Sequence, residues 1–190
     1  MKRILLFFIF IVSMTTIVHA QEWKKYNLAT DSGVILSFNY PESFKSEEDN
    51  PSRSALFINT AETNVVKTLM LQTINTPPEL TSHRFSNQNF NTMATGLAKG
   101  LGSTPKNVKM TKIDHLPAVS FDVTWNAKSN GITYYMNNAF MMLLFKSQFI
   151  AFACGTSSFS ENKKEVDRIQ QSNKKNLCRQ FFNSVNIVKS

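Results

Sequence analysis

The chain has 190 residues, a formal net charge of +8, 42% apolar residues and 16 phenylalanines. That apolar content, without a low-complexity tract, excludes a disordered chain and predicts a folded domain with a substantial core. Two cysteines and three histidines in all exclude a cysteine-dense scaffold and leave little from which to build a zinc site.

At the start, Lys2 and Arg3 precede an unbroken apolar run from Ile4 to Val12. Polar Ser13, Thr15 and Thr16 and the modest residues Val18-His19-Ala20 follow. This three-part pattern is that of a secretory signal peptide. The run falls short of the ~20 apolar residues a membrane span needs, and no cysteine stands at the cleavage point to take a lipid anchor. We expect residues 1–20 to be removed. Residues 21–190 then form one exported domain, periplasmic or secreted from a bacterium, with no transmembrane segment left.

In chain order, residues 23–29 and 34–40 predict two strands, the second alternating Val34, Leu36, Phe38 and Tyr40 with Ile35, Ser37 and Asn39 until Pro41 ends it. Phe44 tucks back after a bend. Residues 45–52 are polar and proline-punctuated, which predicts an exposed loop. Strands follow at 54–59 and 64–75, the latter with Val65, Leu69 and Leu71 opposing Val66, Met70 and Ile74 before Pro77-Pro78. The period then changes. Phe90, Met93, Ala94, Leu97 and Leu101 fall three or four apart, one buried helical face, with Gly100 and Gly102 placed to end the helix.

Residues 106–113 predict a strand with Lys106, Val108, Met110 and Lys112 on one face. Residues 116–154 then hold three core strands. The first alternates Val119, Phe121, Val123 and Trp125 with polar residues. Asn130-Gly131 marks a tight hairpin, and the apolar run from Ala139 to Phe145 marks a covered central strand. The third strand is expected over 149–154, with 155–158 a polar link. Residues 161–170 predict a helix with the pairs Glu161–Lys164 and Glu165–Arg168. For 171–175 continuation and break stay open. Leu177, Phe181 and Phe182 add an apolar patch, and 185–188 a last strand.

Cys154 and Cys178 both lie in the exported part. In an oxidising compartment such a pair defaults to a disulfide, whereas two separate buried thiols are what a cytosolic chain would give. The charge is uneven: residues 21–98 hold 6 basic and 8 acidic residues, residues 99–190 hold 13 and 5. A basic half can face nucleic acid, anionic lipid or an acidic protein. Only Lys163-Lys164 and Lys174-Lys175 are adjacent, and charge dispersed in this way reads first as solvated surface. If it meets a partner, Lys163, Lys164, Arg168, Lys174 and Lys175 are the expected contact surface.

No residue pattern points to catalysis, a cofactor or a metal. The serine-elbow motif is absent. Asp114-His115 stands before Leu116-Pro117 as a polar turn, not a catalytic pair. The cluster Gly96, Gly100 and Gly102 follows a helix, unlike a phosphate loop. Glu47-Glu48-Asp49 lacks the glycine of a calcium loop. Asp122 and Asn126 share a polar strand face that could border a groove with Tyr135 and Asn137; helix cover with ordinary hydrogen bonds is the favoured alternative.

The stretch Phe38-Asn39-Tyr40-Pro41-Glu42-Ser43-Phe44, the meander opening Leu116-Pro117-Ala118, and the closing Phe181-Phe182-Asn183-Ser184-Val185-Asn186-Ile187 resemble the PsbP-like fold family in motif and element order. The resemblance implies an α+β domain, an antiparallel sheet of about six strands flanked by helices in an α/β/α sandwich, and mainly non-catalytic binding roles. It supplies no catalytic residue, and no partner carries over. The function expected is therefore an exported, non-catalytic binding or accessory protein that contacts an unknown protein partner. The alternatives are a secreted enzyme with an unrecognised site around Asp122 and a basic-surface binder of anionic membrane or nucleic acid.

Overall fold

Apolar–polar alternation over residues 119–126 and a continuous apolar run over 139–145 mark the central strands. A computed structural model describes residues 21–30, 33–47, 54–62, 64–75, 87–146 and 148–189. The expected signal peptide, His83, the Pro77-Pro78 stop and the Glu48-Asp49 part of the acidic stretch lie outside them. Along the chain run β1 (Trp23–Ala29), β2 (Val34–Pro41), β3 (Lys45–Glu47), β4 (Ser54–Glu62), β5 (Val65–Asn75) and α1 (Asn87–Gly100). Then come β6 (Lys106–Ile113), β7 (Leu116–Ser129), β8 (Ile132–Phe145), β9 (Gln148–Phe159), a short 3-10 turn (Ser160–Asn162), α2 (Lys163–Lys175), α3 (Leu177–Asn183) and β10 (Asn186–Lys189).

The described strands form two antiparallel sheets. The larger has the order β3-β4-β5-β9-β8-β7-β6, and the smaller is β1-β2-β10. The α+β class is as expected. The expected sheet of about six strands has seven, and the first, second and last strands form a sheet of their own. The chain's end returns to its beginning because Ile187 pairs with Leu36 and Asn186 with Ser37.

Each face of the large sheet has its own cover. On one face, Val119, Phe121, Val123, Phe140, Met142, Ala151 and Ala153 pack under Phe90, Ala94 and Ala98 of α1. These three helical residues are four apart, and the two alanines let the helix sit close to the sheet. On the other face, Leu69, Leu71, Met141, Leu143, Ile150 and Phe152 meet Leu36 and Phe38 of the small sheet and Leu177 and Phe181 of α3. The core strands therefore lie under both the Met93–Leu97 region and the C-terminal helices, one on each side.

Local signals act as their chemistry requires. The N–H of Ser103 donates to the carbonyl of Ala98 at 2.8 Å and that of Gly102 to Lys99 at 2.9 Å. With Gly102 at φ +68°, this is the two-bond helix stop that a left-handed residue permits. Asn130-Gly131 (φ +51° and +78°) and Asp114-His115 (φ +46° and +67°) make the two-residue turns of the β7–β8 and β6–β7 hairpins. The latter is a turn, as expected, and its carboxylate has a structural use: Asp114 Oδ2 accepts from the N–H of Ile187 at 2.9 Å.

Three expectations need correction. Lys45–Glu47 is exposed but pairs with Ile58, Phe57 and Leu56 as an edge strand, so the loop begins later. Residues 155–158 are not a link, because β9 continues to Phe159. Thr156 and Ser158 are buried: Thr156 bonds Gln170 on α2, and Ser158 donates to the carbonyl of Asn64. Polarity there reflects what covers the strand, not a break in it. Finally, Lys106 pairs with Asp122 and Lys109 with Ser120, a register shift that makes Asn107 (φ +54°) an extra, bulged residue. The bulge takes Lys106 off the face that Val108, Met110 and Lys112 share.

Gly155 shows why β9 carries a glycine. A Cβ there would lie 1.3 Å from Asn138 Oδ1 and 2.5 Å from its Cγ, so the Asn138 side chain would have to leave its place. Gly155→Ala is expected to cost about 1–3 kcal/mol, and Asn138→Ala in the same chain to restore most of it. Urea unfolding of the four proteins of this cycle measures the coupling. Equal losses with and without Asn138 would contradict it.

Candidate functional site

The polar half of the core strands is covered by an unusually polar helix. Lys163, Asp167, Gln170 and Lys174 fall on one side of α2, and the buried set of that helix includes Gln170 and Asn173 beside Val166 and Ile169. Gln170, fully buried, donates to the carbonyl of Cys154 at 2.9 Å and bonds Thr156, while Asn173 donates to Thr156 Oγ1 at 3.2 Å. Asp167 Oδ1 accepts from Tyr135 Oη at 2.9 Å and Asn137 Nδ2 at 2.7 Å, and its Oδ2 accepts from Lys163 Nζ at 2.7 Å. Lys163 also lies 4.1 Å from the Tyr135 ring centroid, a cation–π contact. Tyr135 and Asn137 thus serve helix docking.

Burial pushes the Asp167 carboxyl up, but the hydrogen bonds from Lys163, Asn137 and Tyr135 outweigh it and hold its pKa below the usual carboxylate range. The hydrogen bonds of Lys163 to Asp167 and then Tyr135 raise the pKa of that amine. A depressed carboxylate stabilises the fold above its unfolded pKa of about 4, and that contribution is lost as pH falls through the folded value. The raised amine stabilises below its unfolded value of about 10.4 and loses this as pH rises through the folded one. The ion pair is partly exposed, so the two-charge attraction itself is worth under about 1 kcal/mol. Asp167→Asn is expected to flatten the acid limb of a melting-temperature profile; an unaltered acid limb would contradict this.

Beyond α2, the sheet opens into a trough of about 900 Å³ running beside β6. Its floor includes Ser120, Asp122 and Met141, one wall is β6 from Asn107 to Asp114, and the other is formed by Lys174, Arg179 and Phe182. Asp122, the residue around which an enzyme site was conceivable, is fully engaged. Lys174 Nζ stands 2.8 Å from its Oδ1, and Asn107 Nδ2 donates to its Oδ2 at 2.7 Å. The bulge at Asn107 is what delivers that amide. Ser120 Oγ is buried and has no hydrogen-bond partner among the described residues. Asn126, at the far side of Tyr135, is exposed and outside the trough lining.

Of the five cations expected to face a partner, Lys163, Arg168 and Lys174 make ion pairs within the fold. Lys163 is spent on Asp167, Arg168 makes a two-bond ion pair with Glu165 (2.6 and 2.9 Å), and Lys174 is spent on Asp122. Lys164 and Lys175 are exposed on α2. Lys109, Lys112 and Arg179 line the trough and have no ion pair among the described residues. Sequence reasoning missed all three as a group, since they come from β6 and α3, some 70 residues apart. The signals were present singly: an edge strand rich in lysine, and an arginine next to a disulfide cysteine.

That disulfide joins Cys154 of β9 to Cys178 of α3, with Cα atoms 5.4 Å apart. It pins α3, and so Arg179, against the sheet. Among the described residues, no group of three or more His, Cys, Asp or Glu side chains is placed to hold a metal ion, and no helix is long and apolar enough to cross a membrane.

With two antiparallel sheets, one helix on one face and two on the other among the described residues, the architecture is a mixed α+β sandwich. Among solved structures it is similar to the Ran-binding protein Mog1p of Saccharomyces cerevisiae: TM-score 0.55 and 11% identity, over 88% of this chain and 96% of that one. It is also similar to LpqN of Mycobacterium tuberculosis, a protein involved in cell envelope biogenesis: TM-score 0.51 and 9% identity, over 88% and 92%. The chain has the Mog1/PsbP-like fold. At these identities the likeness extends to the fold alone. No protein-family model matches the sequence, and no curated protein sequence matches it.

Proposed function

We propose that the protein is an exported, non-catalytic binding protein, released as residues 21–190 after removal of residues 1–20, that contacts a partner protein through the trough beside β6. The observation that carries this reading is the company kept there: an open sheet edge beside three uncommitted cations, Lys109, Lys112 and Arg179, with the nearby carboxylates already engaged. Binding surfaces need accessible, uncompensated groups of this kind, whereas a general acid or base needs a carboxylate free to exchange its proton. Asp122 is clamped by Lys174 and Asn107, which weighs against the enzyme reading. The pairing of Cys154 with Cys178 supports an oxidising destination. Mog1p, described as Ran-binding, gives a precedent for partner binding on this fold.

Fractionation of the native host, together with capture by purified protein, tests both halves. The protein recovered outside the cytoplasm should begin near Gln21, and a partner retained by it should be lost with K109E/R179E. A cytoplasmic protein with an intact N-terminus, or capture indifferent to the two reversals, would overturn the reading.

A further inference from the structure

We infer that the outer edge of β6, at the margin of the trough, receives an acidic, extended polypeptide segment added as a strand, an inference that rests on the protein-binding role proposed above. Three observations converge on that occupant. First, β6 terminates the seven-stranded sheet, so its outer row of N–H and C=O groups has no strand neighbour among the described residues. Only a polypeptide can satisfy such a row in register. The usable run is Lys109–Ile113, bounded by the bulge at Asn107 and the turn at Asp114-His115.

Second, the charges select the sign of the strand. Lysines on an edge strand ordinarily deter strand addition by repelling and solvating the edge. Here Lys109 shares the face of Ser120, Lys112 lies on the opposite face, and Arg179 stands across the trough. A neutral or basic strand meets the usual deterrent, while one bearing carboxylates on alternate residues is attracted to it. Asp122 and Asp114, the carboxylates of the lining, do not oppose this, because Lys174, Asn107 and the N–H of Ile187 occupy them.

Third, the two faces of the edge strand differ. Lys109 flanks the edge on the trough side and Met110, 42% exposed, on the other, which suits a segment alternating acidic and apolar side chains. Nucleic acid and anionic lipid could use the three cations but not the edge backbone.

The test uses the full mature protein and short fluorescent peptides read by anisotropy: alternating Glu/Val, alternating Lys/Val, and the Glu/Val peptide N-methylated at every second amide. The Glu/Val peptide is expected to bind at least about tenfold more tightly than the other two, and K109E/R179E to weaken it by about tenfold or more. Both replaced side chains are exposed, and an unchanged circular dichroism spectrum and melting temperature will confirm an intact fold. Equal binding of the Lys/Val peptide, indifference to N-methylation, or no saturable binding of the Glu/Val peptide would each overturn the inference. Binding to phosphatidylglycerol vesicles that depends on Lys109 and Arg179, with none to the peptides, would overturn it in favour of a lipid. If partner capture remains sensitive to K109E/R179E while the peptides fail, strand addition alone is wrong; if both fail, the binding role is wrong as well.

Discussion

Truncating Phe38 to Ala is expected to lower the unfolding free energy by about 4 kcal/mol, within the usual range for a buried phenylalanine. Phe38 is fully buried and stands where three layers meet. From β2 of the small sheet, its ring reaches Phe57 of β4 at 5.5 Å, Phe152 of β9 at 6.5 Å and Phe181 of α3 at 5.1 Å, all edge-to-face, with Tyr26 of β1 at 5.4 Å. Each such pair adds about 0.5–1.5 kcal/mol beyond area burial, but one truncation removes them together and leaves a cavity between elements that cannot easily close. Against a typical total of about 5–15 kcal/mol, this is a large share. Phe38→Leu keeps most of the volume and should cost less than half as much. Urea unfolding curves with unchanged slope would measure both. A loss below about 1.5 kcal/mol for Phe38→Ala would show that the small sheet is held mainly by something else.

The second large effect concerns the cross-link between β9 and α3. Its sequence separation is 24, and a closed loop of that size stabilises by about 3.5 kcal/mol on the chain-entropy model. For a domain of this length, each kcal/mol moves the melting temperature by about 2–4 °C, so Cys154→Ala with Cys178→Ala should melt about 7–14 °C below wild type. Reduced wild-type protein should fall by a similar amount, which separates loss of the bond from loss of the sulfur atoms. Because the bond ties α3 to β9, the amides of α3 should exchange faster in both. Unchanged melting on reduction would contradict the account.

Much of this fold was legible in the residues. Alternation along Val119, Phe121, Val123 and Trp125 set the face that α1 covers, Asn130-Gly131 and Asp114-His115 gave their turns, and Gly102 gave the end of α1. What escaped depended on partners distant in sequence. Nothing in the alternation of Val34 to Tyr40 says that β2 lies beside the last strand and apart from the large sheet. Polar Thr156 and Ser158 suggested a link because hydropathy takes buried polarity for exposure; they are core residues only because the equally polar α2 supplies Gln170 and the turn before it supplies Asn162. One extra residue at Asn107 reversed the face of Lys106, a change that a pattern of period two cannot register. The same limit governed the site. Asp122 was visible as a polar residue on a core strand, but Lys174, which neutralises it, is 52 positions away, and Arg179 joins Lys109 only through the fold.

The central claim is that the surface beside β6 is where this protein meets another. Thr111 on β6 lines the trough, whereas Ile132 beside the β7–β8 turn is 42% exposed and opposes Ser129, about 23 Å along β7 from Asp122 at the usual strand rise. A photo-reactive amino acid placed at each position in turn, in the full chain within its native host, compares the two surfaces directly. The account predicts a discrete protein adduct from position 111 that disappears with K109E/R179E, and none from position 132. The same adducts from both positions, or a discrete adduct from position 132 alone, would contradict it.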